Sequence, residues 1–160
     1  MQTFLPEPTF SLCAKALDNK RLHKNALEGY QILMVLTELA PDGSHRTPKG
    51  WVNHPAVKMW RGYEFGLVSY IHCMVEEWKG RGFNSTLAEK VDFIAETANI
   101  VRTPETYRPN WWMNLDTFVP IMNTHRLALL NKNYEHYSQF GWEQDTGTRP
   151  DTYEYIWPVN

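Results

Sequence analysis

From Thr9 to about Ala40 the sequence holds a single helix breaker, Gly29, and Pro41-Asp42-Gly43 then closes the stretch. Within it Leu17, Leu22, Ala26, Tyr30, Leu33, Met34 and Thr37 recur at spacings of three, four and five. Such spacing lines one side of a helix, whereas a half-buried strand needs a period of two. The stretch reads as one long helix or two abutting ones, entered after Pro6 and Pro8.

The same punctuation orders the rest of the chain. Asp42 to Gly50 is a basic loop, and Asn53 or His54 followed by Pro55 has the form of an N-cap and first helical residue. The helix that follows is predicted to run to about Lys79, with a stripe of Trp60, Tyr63, Leu67, Ile71, Met74 and Trp78 and a stop at Gly80 and Gly82. A third helix is predicted after Asn84-Ser85, carrying Leu87, Val91 and Ile94. Residues 102–113 read as a proline-punctuated loop, and a fourth helix is predicted from Phe118 to Leu130. The tail from Asn131 is irregular and aromatic: Tyr134, Tyr137, Phe140, Trp142, Tyr153, Tyr155 and Trp157. With no strand-period run and no repeat, the expected fold is all-α: a compact single domain over residues 1–160, with about four main helices and an aromatic tail.

A chain of 160 residues that is 42% hydrophobic can bury a real core. Its net charge of −2 shows no overall basic excess of the kind that marks a nucleic-acid binder. The total hides a gradient, because residues 1–63 hold eight Lys and Arg against five acids while residues 64–160 hold eight against thirteen. No acid occurs from Gly43 to Tyr63, a stretch that includes Arg46, Lys49, Lys58 and Arg61. Two cysteines sixty residues apart, Cys13 and Cys73, argue against a disulfide scaffold and for a reducing, cytoplasmic setting. No leader and no membrane-length apolar run is expected.

Among residues able to carry chemistry, His23, His45, His54, His72, His125 and His136 form no HxxxH or HExxH pair, so no metal is expected, and neither GxGxxG nor GxxxxGK(S/T) occurs, so no nucleotide cofactor is expected. Glu28 stands out because Ala26, Leu27, Gly29, Tyr30 and Gln31 around it are uncharged, while Lys24 lies one turn earlier. It reads either as half of a surface ion pair or as a partly buried carboxylate suited to proton transfer. The aromatic tail likewise has two readings, packing over the helices or offering faces on which bases stack.

Four segments in order resemble the pyrimidine-dimer DNA glycosylase family of the phage endonuclease V type. LDNKRLHKNALE (residues 17–28) is similar to the family's first-helix segment, in which a leucine precedes the catalytic glutamate by six positions, here Leu22 and Glu28. GWVNHPAVKMW (50–60) resembles a glycine, aromatic, N-H-P signature, and RGFN (81–84) also matches. The HRLALLNK segment beginning at His125, with the closing YEYIWP (153–158), resembles the family's C-terminal pattern.

The resemblance implies an all-α enzyme that kinks double-stranded DNA containing a damaged pyrimidine, extrudes a nucleotide and cleaves with an N-terminal amine and a glutamate. Free α-amines titrate near about 7.7 to 8.0 against about 10.4 for lysine, so a useful fraction is the free base at neutral pH. By the resemblance the catalytic residues are Met1 and Glu28. The bulky Gln2 is expected to block removal of the initiator methionine, which leaves the attacking amine on Met1 itself. Leu27 and Gln31 stand where the family has charged residues, so the DNA backbone is expected to meet Arg21, Lys24, Lys58 and Arg61 instead. Asn53 and His54 either bind a phosphate or simply cap the helix that follows. The expected protein is a monomer with no membrane partner. The alternative is a non-catalytic helical DNA-binding or protein-interaction module on the same scaffold.

Overall fold

A computed structural model describes residues 1–158. The first long stretch is two abutting helices, α1 (Phe10–Ala16) and α2 (Asn19–Thr37). Thr9 caps α1 by accepting the Leu12 N–H, and an extended Leu17 breaks the run before α2 begins. Arg81 seals the break from outside, donating to the Ala14 and Lys15 carbonyls at 3.1 and 3.3 Å and to Asn19 Oδ1 at 2.9 Å. At the end of α1 the Ala14 carbonyl takes only the Leu17 N–H at 3.3 Å from the backbone, so a guanidinium completes carbonyls that the helix itself leaves under-satisfied.

The helix predicted from Pro55 to Lys79 is in fact two: α3 (Pro55–Lys58) and α4 (Glu64–Gly80). The reason lies at Met59, whose carbonyl accepts the Trp111 indole N–H at 2.7 Å rather than the amide one turn on. Gly62 then turns the chain at φ +85°, a conformation that favours glycine. The stripe nevertheless faces inward, with Trp60, Leu67, Ile71 and Met74 fully buried and Tyr63 and Trp78 packed at the margin.

Helix α5 (Leu87–Thr97) buries Leu87, Val91 and Ile94 as expected. Residues 102–113, predicted as loop, contain two single-turn helices, α6 (Pro104–Tyr107) and α7 (Asn110–Met113), each too short to show a helical period in the sequence. Helix α8 (Leu115–Lys132) is longer than predicted because Asn114 caps it at the Asp116 N–H. A single turn, α9 (Tyr134–Tyr137), and a 3-10 turn at Ser138–Phe140 begin the tail. The fold is all-α. Among the described residues the one strand-like pairing is an isolated bridge between Leu39 and His45.

The core forms where α2 lies against α4, and Gly29 sets how close they come: a Cβ there would stand 2.7 Å from Ile71 Cγ1. The aromatic tail divides, with Tyr137 and Trp142 buried, Tyr153, Tyr155 and Trp157 packed against the core, and Phe140 exposed. Asp18, at the head of α2, accepts from Tyr137 Oη (2.6 Å), Asn133 Nδ2 (3.1 Å) and Arg21 Nη1 (3.0 Å), which fastens the tail to α2.

The N-terminal segment is the feature that positions the site. Residues 2–6 run through the interior in neither helix nor strand and are buried. The Thr3 hydroxyl accepts from Trp60 Nε1 at 3.0 Å, the Phe4 carbonyl accepts from Tyr70 Oη at 2.7 Å, and the Leu5 amide donates to His125 Nδ1 at 2.8 Å. With no helix or strand ladder to satisfy its backbone groups, the segment takes partners from side chains, the Thr3 amide from Gln2 Oε1 at 2.9 Å and the others from distant elements.

Candidate active site

Glu28 sits on α2 where the helix turns from its buried face, marked by Leu22, Asn25, Ala26 and Gly29, toward solvent. Its side chain is 16% exposed, Oε2 accepts the Gln2 backbone N–H at 2.9 Å, and Lys24 Nζ stands 3.9 Å from Oε1. The residue has the i−4 lysine neighbour and is a partly buried carboxylate. The lysine is 67% exposed, so the screened pair contributes little to stability.

A cleft of about 310 Å³ opens over Glu28, lined by Met1, Gln2, Phe4, Lys20, Arg21, Lys24, Asn25, Lys132, Tyr153 and Tyr155. Four cationic side chains therefore surround one carboxylate among the described lining residues, along with the Met1 end of the chain. Arg21 is held at the rim by Asp18. Burial pushes the Asp18 carboxyl up, but the hydrogen bonds from Tyr137, Asn133 and Arg21 outweigh it and hold the group below the usual carboxylate range. Asp18 is thus spent on Arg21 and the tail.

The far wall comes from the tail. Lys132 Nζ stands 5.5 Å from the Tyr153 ring centroid, and its hydrogen bond and charge bring the Tyr153 phenol below its ordinary value. Tyr155 shifts the other way, raised by burial first and then by Tyr153 and Glu28. At neutral pH the Tyr155 hydroxyl keeps its proton.

His54 caps α3: its Nδ1 accepts the Ala56 N–H at 3.0 Å. Its ring packs edge-on against Trp51 (5.2 Å) and Trp157 (6.0 Å). Burial lowers the imidazole's pKa, the nearby α-amine lowers it further, and Glu28 acts in the opposite sense, which places His54 within the field of both groups. Asn53 is exposed at the end of the 3-10 turn Trp51–Asn53. Of the four cations expected to meet a phosphate backbone, Arg21 and Lys24 line the cleft, whereas Lys58 and Arg61 do not. Lys58 lies in the last turn of α3 and Arg61 donates to the Val52 carbonyl at 2.9 Å, bracing the turn that carries Asn53.

Sequence reasoning passed over Gln2, Asn25, Lys132, Tyr153 and Tyr155 as site residues. Lys132 and the two tyrosines stood inside the quoted C-terminal pattern, so a signal existed. Asn25, buried and bonded to Tyr70 Oη at 3.0 Å, carried no sequence signal beyond its place one turn before Glu28.

No curated protein and no solved structure matches the chain. The family model for pyrimidine dimer DNA glycosylase matches residues 1–90, more than half of the sequence. That span holds the threaded N-terminus, Glu28, the His54 cap and the Arg81 clamp, while the far wall of the cleft lies beyond it. The chain belongs to the pyrimidine dimer DNA glycosylase family.

Proposed function

We propose that this protein is a DNA repair glycosylase with associated AP lyase activity, acting on damaged pyrimidines in duplex DNA, pyrimidine dimers first, with Met1 and Glu28 as its catalytic pair. The single observation that carries the reading is the hydrogen bond from the Gln2 amide to Glu28, which holds the first residues of the chain against the one carboxylate of a cationic cleft.

The chemistry suits that arrangement. With the damaged nucleotide drawn out of the stack, the Met1 amine attacks C1′, and the glycosidic bond breaks with its electron pair leaving on the base, which is protonated. The amine loses its protons in turn, and the sugar ring opens to an imine linking C1′ to the protein. The imine acidifies the C2′ proton; its removal expels the 3′ phosphate oxygen with the C3′–O electron pair, which cuts the strand. Glu28 faces the developing positive charge at C1′ and carries protons between these steps. Lys20, Arg21, Lys24 and Lys132 neutralise phosphates next to the extruded nucleotide. Lys58 and Arg61 with Asn53 and His54 extend the backbone contact outside the cleft. The reaction calls for no cofactor. The working unit is a single domain acting as a monomer in the cytoplasm.

The test is base release from a dimer-containing duplex. Glu28→Gln is expected to lower single-turnover base release at least a hundredfold while binding the duplex within a few-fold of the native protein. Native turnover in that variant would remove Glu28 from the mechanism.

A further inference from the structure

Outside the cleft, the least explained surface is the ledge that enters α3. Trp51 opens the 3-10 turn with 49% of its surface exposed, on a backbone that is held firmly. The His54 N–H donates to the Trp51 carbonyl at 2.9 Å, and Arg61 grips the next carbonyl at Val52. A large rigid side chain on a braced turn loses little conformational freedom when something packs on it.

What surrounds it is cationic. Trp51 shares a hollow of about 400 Å³ with Val35, Arg46, Thr47, Pro48, Lys49 and Gly50. Arg46 and Lys49 are in no ion pair among the described residues, and residues 43–63 contain no acid at all. A π-face sharing a hollow with two cations matches a nucleobase and its adjoining phosphates, and matches an acidic protein surface less well, since that would leave the indole without a partner.

The ledge is also joined to the cleft. Behind Trp51 the rings of His54, Trp157 and Tyr155 follow one another at 5.2, 6.0 and 5.6 Å, and Tyr155 is a cleft wall. Trp51 does not line the cleft itself, but its ring packs on His54, which stands within the field of Met1 and Glu28, so the indole lies beside a duplex bound across the cleft.

Resting on the reading of the protein as a DNA glycosylase, we propose that Trp51 stacks on a base of the bound duplex beside the extruded nucleotide, while Arg46 and Lys49 engage the adjoining phosphates. Extrusion leaves a neighbouring base without its stacking partner, and an indole face replaces that contact. Stacking does not release counterions and phosphate contacts do, so the two roles separate under salt.

The experiment is fluorescence anisotropy of the untagged protein on a duplex bearing a tetrahydrofuran abasic analogue, measured across a salt series. Trp51→Ala and Trp51→Leu are expected to weaken binding about tenfold or more with an unchanged salt slope, while Trp51→Phe stays within about threefold of native. Arg46→Ala and Lys49→Ala are each expected to reduce the salt slope by about one. Phe140→Leu, an exposed aromatic on the tail, serves as the control and should bind as the native protein does. Native affinity in Trp51→Leu, with the native protein binding well, overturns the stacking role alone. A native protein that neither binds this duplex nor forms a borohydride adduct with an abasic one overturns the glycosylase reading and the stacking role together.

Discussion

The Gln2 amide and the Glu28 carboxylate are joined across 26 residues by a hydrogen bond of 2.9 Å. The donor is main chain, so the contact depends on where the backbone runs and not on the side chain at position 2. It also gives Glu28 a structural duty beside its proposed chemical one, and the two can be told apart. A glutamine at position 28 still presents an acceptor oxygen, whereas alanine leaves a partly buried N–H without a partner, at about 1 to 2 kcal/mol. Glu28→Gln should melt within about 2 °C of the native protein and Glu28→Ala several degrees lower, with base release lost in both. Thermal melts run beside the base-release assay check this.

Tyr70 is the hub that fixes the threaded segment, receiving Asn25 Nδ2 at 3.0 Å and donating to the Phe4 carbonyl at 2.7 Å. Burial raises its phenol well above the ordinary value, so it remains a donor at every working pH. Tyr70→Phe strips partners from two buried groups and should destabilise the fold by about 2 to 4 kcal/mol. Denaturant titration gives the loss. Activity should fall further than the unfolded fraction explains, because Phe4 is three residues from the proposed amine.

Gly29 allows α2 and α4 to meet. Elsewhere in a helix alanine would be worth about 1 kcal/mol over glycine, but here its methyl would stand 2.7 Å from Ile71 Cγ1. Gly29→Ala is therefore expected to destabilise by about 1 to 3 kcal/mol. Combined with Ile71→Ala, which removes the clashing atom, the same change should become neutral or stabilising. A double-mutant cycle by chemical denaturation measures that coupling.

His125 ties acid sensitivity to the N-terminal segment. It is fully buried, with Nδ1 accepting from Leu5, and desolvation lowers its pKa to about 3. An unfolded histidine takes up its proton near pH 6.5, so between about 6.5 and 3 the unfolded state binds one proton more than the folded state. Stability should fall on acidification through this window by about 1.4 kcal/mol per pH unit from His125 alone. Asp18, whose folded carboxyl titrates below its unfolded value, adds a further loss only below about pH 4. His125→Asn keeps an acceptor for the Leu5 amide and should flatten the upper part of the slope by one proton, read from denaturation midpoints at pH 7, 6, 5 and 4.

The helical skeleton was legible because its signals are local. His54 caps the helix that Pro55 opens, Gly82 turns the chain at positive φ just past α4, and the buried stripes keep their spacing. The break between α3 and α4 was not legible, since it depends on the Trp111 indole, 52 residues away, taking the Met59 carbonyl. Glu28 could be singled out from its uncharged neighbours and the family resemblance. The cleft around it could not, because Lys132, Tyr153 and Tyr155 reach it from the other end of the chain and Gln2 reaches it through a backbone amide that no side-chain pattern encodes. The basic half of the sequence is only part of the electrostatic design: Lys132, from the acidic half, completes the cationic ring, while Lys58 and Arg61 stay outside it.

In the proposed mechanism the α-amine of Met1, rather than any other amine in the cleft, makes the covalent bond. Lys20, Lys24 and Lys132 line the same space, so a trapped adduct alone would not decide it. The untagged protein should be reduced with borohydride on an abasic duplex, digested, and the modified peptide sequenced by mass spectrometry. The sugar remnant is expected on the nitrogen of Met1, with no adduct once that amine is acetylated; a remnant on Lys20, Lys24 or Lys132, or an adduct that survives acetylation, would contradict the role of Met1.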